Sequence, residues 1–372
     1  DLCTLDDRCL SMVCQGDIAA PVVYDGPLFE GSTYSSLEGV LEAPDGGLIL
    51  VGSSYDPNPH GLMVKANKFG ALQSAKMVGG GTYTLLNAVA PLGSSYIAVG
   101  VDGTGSSAKS FHQIFDDDLT VTSGSVGAMD GGQLNDVAAR PDGRVVIVGN
   151  TPNTGSGIRG RLVRMSVAGV VESNTLHHSH AALFGRIAVK ANNATYVTGA
   201  RTHGGDDYRG LFRVSTDGVG LGTELVWDGP GNHDRSIGAS PFDGAVVMGL
   251  RSANNGYLRR VDPAAPSFSG DAIAIPENSC SSGSCKASYQ RLFVANSALY
   301  VMGAQDTEGN RQAWFGSFDA SLNLNWEVYY GVPGLAHSFQ AGTELSNGLL
   351  AFVGYTKVNA ELPTQGLVVF AT

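Results

Sequence analysis

Short apolar runs that end in glycine recur along the chain at a nearly constant interval. Each run is rich in Val, Ile or Leu and is followed by a polar loop. The run-ending glycines are 48, 49, 50, 50, 54 and 51 residues apart. Short apolar segments bounded by turn residues are typical of β-strands. The seven runs are 48–52, 96–100, 145–149, 196–199, 245–249, 299–303 and 349–354.

Each repeat carries the signals of four short strands. In the third repeat, an apolar strand at 134–138 leads into a Pro-Asp-Gly turn at 141–143 and then into the run that ends at Gly149. Pro presets a negative φ and Gly tolerates a positive one, so this tripeptide favours a tight turn. A third strand at 162–165 and a fourth follow. Four strands in about 50 residues are typical of one blade of a β-propeller.

The two ends of the chain complement each other. After Gly354 only one further strand fits, at 367–370, so the seventh repeat lacks its fourth strand. Residues 22–27 read Val-Val-Tyr-Asp-Gly-Pro, close to the fourth-strand sequence Val-Trp-Asp-Gly-Pro at 226–230. A strand from the N-terminal segment would close the last blade and remove the open edges. We therefore predict an all-β fold, a seven-bladed β-propeller, with an open solenoid as the alternative.

The composition is typical of a β-sheet protein and argues against nucleic acid binding and membrane insertion. Charged residues make up 15% of the chain, and 51 of its 372 residues are glycine. The formal net charge is −11 and there is no basic cluster, so nucleic acid binding is not expected. No apolar run approaches the roughly 20 residues of a membrane span, so no membrane insertion is predicted. P-loop, Gly-x-Ser-x-Gly and His-Glu-x-x-His motifs are absent, and no cofactor is predicted.

The five cysteines form two groups. Cys280 and Cys285 flank a flexible Ser/Gly loop, and a disulfide between them is predicted over two free thiols. Cys3, Cys9 and Cys14 are an odd set, which fits one pair and a leftover whose partner lies upstream. Zinc is the alternative for this set, although no Cys-x-x-Cys is present. Disulfides form in oxidising compartments, so an extracellular or cell-surface location is predicted.

The repeat also resembles a known family. A strand, Pro-Asp-Gly, a strand ending in Gly and an apolar strand with Arg follow one another best at 134–165. This order resembles the delta-60-type propeller repeats of bacterial secreted and surface proteins. The segment at 3–14 resembles Asp- and Cys-rich modules that precede such domains in myxobacteria-like surface proteins. The resemblance implies a Cys-rich module remnant or linker at 1–20 and a propeller at 21–372, which we expect to be a monomeric unit of a larger parent chain.

Most histidines map to one face of the predicted propeller. Loops that enter the innermost strands and loops between second and third strands share this upper face, which surrounds the central channel. Histidine binds metals and exchanges protons near neutral pH, although polar residues also collect in loops without a function. His180 and His233 could share zinc or copper, with structural hydrogen bonds as the favoured alternative. The upper-face set is His60, His177, His178, His180, His203, His233 and His337, of which His180, His203, His233 and His337 are ligand-binding candidates.

A polar position recurs near the start of six of the seven innermost strands. The structural interpretation is that this position faces a water-filled channel. The functional interpretation is that it binds a polar ligand. Arg186, Arg235 and Arg291 come from consecutive blades and could converge on a carboxylate or sulfate. Asp136 lies beside this position as well. The aligned residues are Glu38, Asn87, Asn135, Gly185, Arg235, Gln290 and Gln340.

Two functions fit these residues. Tyrosines with Arg and amides suit a surface that binds a glycan or a surface protein, and this is the preferred hypothesis. Tyr, His and Arg are also the groups of a polysaccharide lyase on an acidic polysaccharide, which is the alternative. The tyrosines expected on the upper face are Tyr34, Tyr83, Tyr208 and Tyr289.

Overall fold

The computed structural model describes residues 18–23, 34–56, 58–79, 83–104, 107–126, 132–151, 159–177, 182–189, 194–203, 206–215, 221–227, 235–252, 255–262, 267–275, 287–307, 310–331, 335–357 and 364–371. The five cysteines lie outside these ranges, so the bond between Cys280 and Cys285 stays a prediction. His178, His180 and His233 lie outside them as well.

The described chain folds into seven four-stranded antiparallel sheets, arranged as the blades of a propeller. The innermost strand of each blade packs beside those of its two neighbours, and the first and last blades close the ring. The predicted seven-bladed, all-β architecture is therefore confirmed. None of the described residues forms a helix with the length and apolarity that crossing a membrane takes.

The blades follow chain order, apart from the first strand. Blade 1 has β2 (Tyr34–Glu42), β3 (Leu48–Asp56), β4 (Asn58–Ala66) and β5 (Leu72–Val78). Blade 2 has β6 (Thr84–Leu92), β7 (Ser95–Asp102), β8 (Lys109–Phe115) and β9 (Val121–Val126). Blade 3 has β10 (Gln133–Ala139), β11 (Val145–Asn150), β12 (Gly160–Met165) and β13 (Val171–His177). Blade 4 has β14 (Ala182–Val189), β15 (Thr195–His203), β16 (Asp206–Val214) and β17 (Leu221–Trp227).

The remaining blades have the same order from the channel outwards. Blade 5 has β18 (Arg235–Phe242), β19 (Ala245–Ser252), β20 (Asn255–Asp262) and β21 (Ser267–Ala274). Blade 6 has β22 (Ala287–Ala295), β23 (Ala298–Thr307), β24 (Asn310–Phe318) and β25 (Leu324–Tyr330). Blade 7 has β26 (His337–Glu344), β27 (Leu350–Thr356), β28 (Gln365–Ala371) and, outermost, β1 (Ile18–Val23).

The N-terminal strand closes the ring as predicted. Val22 of β1 pairs with Val368 of β28, and Val23 pairs with Leu367. Tyr24, which the prediction also included, lies outside the described residues. Strand β1 begins at Ile18, three residues before the predicted start of the propeller at residue 21. The N-terminal segment that precedes blade 1 is thus held to blade 7 by β-sheet pairing, in addition to the side-chain packing between these blades.

The innermost strand of every blade contains a β-bulge. At each bulge one extra residue stands opposite the neighbouring strand. In six blades the residue before the bulge pairs with the run-ending glycine, as Leu134 does with Gly149. A Cβ on Gly149 would lie 2.1 Å from the Gln133 carbonyl oxygen. The repeated glycine is therefore required by the close approach of two backbones at the bulge.

Apolar layers between neighbouring blades form the core. Buried side chains from blades 2 and 3, such as Val99 and Ile147, make one continuous cluster. Between blades 6 and 7 the rings of Phe315 and Phe352 stack with their centroids 3.9 Å apart. Because both faces of a blade are buried in this way, the side chains left for a ligand are those at the strand ends and along the channel.

Candidate functional site at the mouth of the central channel

The bulge residues form a ring around the channel, close to its upper mouth. Each lies a few residues from the start of an innermost strand, and all innermost strands begin on the upper face. Six of the seven agree with the position aligned from sequence. Blade 5 corrects that alignment, because its bulge is at Ile237 and Arg235 is the first residue of β18. The ring is Glu38, Asn87, Asn135, Gly185, Ile237, Gln290 and Gln340.

Two asparagines of this ring tie neighbouring blades together. Asn87 donates through Nδ2 to the Leu134 carbonyl at 2.8 Å. Asn135 donates through Nδ2 to the Phe184 carbonyl at 2.6 Å, and its Oδ1 accepts a hydrogen bond from Gln133. Each carbonyl belongs to the residue before the bulge of the next blade. One amide N–H of each of these candidate ligand-binding residues therefore joins its blade to the next, across blades 2, 3 and 4.

Charged side chains from opposite sides of the channel meet just below the mouth. Arg291 of blade 6 donates through Nη2 to Oδ1 of Asp136 in blade 3. Blades 3 and 6 are not neighbours, so this ion pair crosses the channel. The second Asp136 oxygen accepts the Ile187 amide at 2.9 Å. Arg186 of blade 4 donates through Nη1 to the Asn135 carbonyl at 3.3 Å.

Glu38 of blade 1 completes this charged cluster. Loss of hydration in the narrow channel raises its pKa, against the opposing effects of Ser36 and the two arginines. The same loss of hydration, together with the nearby Arg291, lowers the pKa of Arg186 to about 10. Both shifts disfavour the charged form of the group. The channel mouth is therefore a place where charges are poorly hydrated and depend on partners supplied by protein or ligand.

Four tyrosines from blades 7, 1 and 2 form an aromatic cluster beside the mouth. The ring centroid of Tyr34 lies 5.1 Å from that of Tyr55 in an edge-to-face arrangement and 6.4 Å from that of Tyr355. A side-chain hydrogen bond joins Tyr55 to Tyr83. All four are half-buried, so each presents part of its surface to solvent. We call Tyr34, Tyr55, Tyr83 and Tyr355 the tyrosine cluster.

A line of hydrogen bonds connects the tyrosine cluster to the charged side chains. Tyr34, Ser36 and Glu38 occupy alternate positions of β2. Ser36 donates through Oγ to Glu38 Oε1 at 2.7 Å, and the Tyr34 hydroxyl is bonded to Ser36. Burial raises the pKa of Tyr34 and that of Tyr55. Their hydroxyls therefore stay protonated at neutral pH.

The described upper-face histidines stand at the ends of strands. His60 lies in β4, His203 is the last residue of β15, and His337 is the first residue of β26. The His337 side chain is 1% exposed, and its Nδ1 lies 2.6 Å from Thr356 Oγ1. His337 is on the predicted face with a buried side chain, and its role in ligand binding stays a prediction. Among the described residues, no three His, Cys, Asp or Glu side chains form a group that could hold a metal ion.

Tyr289, which the sequence placed among the upper-face tyrosines, is packed in the core. Its side chain is 2% exposed and makes an edge-to-face contact with Trp314. Its hydroxyl accepts a hydrogen bond from Gln305 at 3.1 Å. Tyr289 is the residue before the bulge, and the equivalent residue is buried in five other blades as well. This apolar position can be aligned from the sequence repeat and would have indicated the burial of Tyr289. The equivalent buried residues are Leu37, Leu86, Leu134, Phe184 and Phe339.

Tyr55 and Tyr355 are the residues that sequence reasoning missed. Both lie on second strands after the repeat glycine, and no shared spacing marks them. Strand pairing brings Tyr55 opposite Tyr34.

The two glutamines of the ring differ in burial. Gln290 is half-buried, while Gln340 is buried and donates to Ser338 Oγ at 3.3 Å.

Fold and site together define a seven-bladed β-propeller with a polar, charged channel mouth flanked by tyrosines. The structure is similar to the Hadza microbial sialidase Hz136, with a TM-score of 0.54 and 10% identity over 96% of this chain and 96% of that chain. It is also similar to the β-propeller domain of the Trilobed protease from Pyrococcus furiosus, with a TM-score of 0.52 and 8% identity over 90% of this chain and 95% of that chain. The PQQ-bound aldose sugar dehydrogenase from Streptomyces coelicolor gives a TM-score of 0.47 and 13% identity over 96% of this chain and 99% of that chain.

These likenesses show the propeller fold alone, because the sequence identities are so low. The sequence matches no protein-family model and no curated protein. The delta-60-type relationship and a bacterial origin therefore stay predictions.

Proposed function

We propose that this protein is a secreted or cell-surface binding module that holds a glycan at its upper face. The tyrosine cluster beside the polar channel mouth is the observation that carries this proposal. A tyrosine combines an apolar ring with a polar hydroxyl, which suits the C–H faces and hydroxyl groups of a sugar. Arg186 and Gln290, both half-buried, lie on the innermost strands of blades 4 and 6. Small-ligand sites commonly combine aromatic walls with a few such polar groups.

The protonation states favour binding over lyase chemistry. A lyase base takes a proton from the substrate, which works best when the pKa of the base lies near the working pH. Burial moves the pKa values of Tyr34 and Tyr55 upwards, away from that range. His337 is buried against Thr356. The sialidase of similar fold shows that a propeller can serve a sugar-directed protein, and this agrees with a glycan ligand.

A glycan array probed with the full chain tests the proposal. We expect retention of a restricted set of glycans, whose affinities are then measured by calorimetry. Tyr55→Ala should weaken binding about tenfold, because an aromatic contact is worth on the order of 1 kcal/mol beyond the area that it buries. Phe69→Ala is the matched control, since Phe69 is 70% exposed on the opposite face, in the turn between β4 and β5.

Three results would overturn the proposal. The first is an array on which no glycan is retained. The second is a glycan affinity that Tyr55→Ala and Phe69→Ala change equally. The third is catalytic release of unsaturated sugar products from a panel of acidic polysaccharides, which would support the lyase instead.

A further inference from the structure

Arg186 has more hydrogen-bond donors than the described channel residues satisfy. A guanidinium carries five N–H donors. The Nη1 of Arg186 reaches the Asn135 carbonyl at 3.3 Å, a long hydrogen bond. The neighbouring Arg291, in contrast, is paired directly with Asp136. Arg186 is half-buried, so a ligand that enters the upper mouth can reach it.

The carboxylates of the channel do not supply the acceptors that Arg186 lacks. Asp136 uses one oxygen for Arg291 and the other for the Ile187 amide. Glu38 accepts a hydrogen bond from Ser36, and burial raises its pKa. Its negative charge is therefore weakly favoured at this position. The nearby positive charge of Arg291 further disfavours an unpaired Arg186.

We propose that the glycan bound at the upper face carries a carboxylate or sulfate group and that Arg186 binds this group in the channel mouth. This inference rests on the proposed glycan-binding function. The planar fork of a guanidinium matches two oxygens of either group. Partial burial strengthens such a charged hydrogen bond relative to one in water. The tyrosine cluster then packs on the sugar ring while Arg186 recognises the acidic substituent.

Calorimetry with three oligosaccharide probes tests the inference on the full chain. The probes are oligogalacturonate, the same oligosaccharide methyl-esterified at its carboxyl groups, and a sulfated galactan oligosaccharide. We expect at least one charged probe to bind about tenfold more tightly than the ester, the scale of one charged hydrogen bond. The stronger of the two charged probes identifies whether the group is a carboxylate or a sulfate.

Substitutions then locate the acidic group. Arg186→Gln should weaken binding of the charged probe about tenfold and leave the methyl ester unaffected. Arg144→Gln alters an exposed arginine of a lower-face turn, which pairs with Glu172, and should change neither affinity. Glu38→Gln should tighten binding of the charged probe most at alkaline pH, where the Glu38 carboxylate is ionised and repels the incoming anion. Misfolding would lower the affinity, so a gain in affinity cannot result from a misfolded variant.

The outcomes separate this inference from the function on which it rests. Equal affinity for the charged and esterified probes, or an unchanged affinity in Arg186→Gln, would overturn the acidic-group inference. If Tyr55→Ala still weakened that binding, the glycan-binding function would stand. Absence of binding to every probe and to every glycan on the array would overturn both.

Discussion

At the scale of single residues, the lower-face turns repeat a hydrogen bond rather than a fixed residue type. In the Pro-Asp-Gly turn of blade 1, Asp45 Oδ1 accepts the amide of Gly47 at 2.8 Å. In blade 7 the side chain of Asn347 accepts the amide of Leu349 at 3.0 Å. Ser-Asn-Gly at 346–348 is therefore the same turn with Asn in the place of Asp. Asx side chains can make this bond in either form, which explains why the tripeptide varies between blades.

Asp45→Asn should remove the acid sensitivity of its turn while keeping the turn. The Gly47 amide and the Lys65 ammonium lower the pKa of Asp45. A lowered folded-state pKa stabilises the fold above the unfolded value of about 3.9, and this contribution is lost as the pH falls through the lower folded value. The difference in unfolding free energy between wild type and variant should therefore shrink between about pH 7 and about pH 3.

Urea unfolding at the two pH values measures this difference. Asp118→Asn, an exposed residue of a turn in blade 2, is the control for the general effect of removing one negative charge. A difference for Asp45→Asn that stays constant with pH would contradict the argument.

At the scale of elements, the bulge of the innermost strand organises each blade. It directs the bulge residue towards the channel and, in the six blades other than blade 5, leaves the preceding residue buried between blades. The pairing of that preceding residue with a glycine holds in six blades, whereas Ser236 pairs with Leu250 in blade 5. The 50-residue spacing between Gly149 and Gly199 thus equals the sequence separation between the bulges of blades 3 and 4.

Gly149→Ala should destabilise the protein more than an alanine at an open turn glycine. The new Cβ would overlap the Gln133 carbonyl, and such crowding in a packed sheet costs about 1–3 kcal/mol. Gly348→Ala is the comparison, because Gly348 has a φ of 83° with no atom within 4 Å of the added Cβ. Only backbone strain of about 1–2 kcal/mol is expected there. Chemical unfolding of both variants decides the order, and an equal or smaller loss for Gly149→Ala would show that the bulge can relax.

At the scale of the whole molecule, two features hold the ring together. The β1–β28 pairing joins the ends of the chain, and the ion pair between Arg291 and Asp136 spans the channel. The first covers an edge that would otherwise expose the backbone of β28. The second places one buried charge pair close to the axis, where blades 3 and 6 face each other.

Removal of residues 1–23 should open the edge of β28. The shortened chain loses the β1 ladder and buried contacts, so its unfolding free energy should fall. The exposed edge should also pair with other copies, because unpaired strand edges promote association. Chemical unfolding and light scattering at several protein concentrations test both effects. Removal of residues 1–16, which leaves β1 in place, is the control and should change neither.

Several features of this protein follow from the sequence alone. The repeat glycines, the turn tripeptides and the complementary chain ends predict seven blades and an N-terminal closing strand, because tight turns and backbone contacts restrict residue type locally. The bulge position of the innermost strand is marked by a polar residue in five blades, and Gly185 aligns with it in a sixth. In blade 5 the alignment fails, since Ile237 at the bulge has no polar side chain to mark it.

Only the tertiary structure decides which of the predicted side chains can act together. Tyr289 and His337 are aromatic or polar in sequence, but packing between blades buries them. Tyr55 and Tyr355 join Tyr34 from separate second strands, and Arg291 meets Asp136 from 155 residues away. Such contacts depend on ring closure and on strand register, both of which are set by packing over the whole molecule. The sequence therefore determines the order of strands in each blade, and the closed ring determines which side chains lie together at the candidate site.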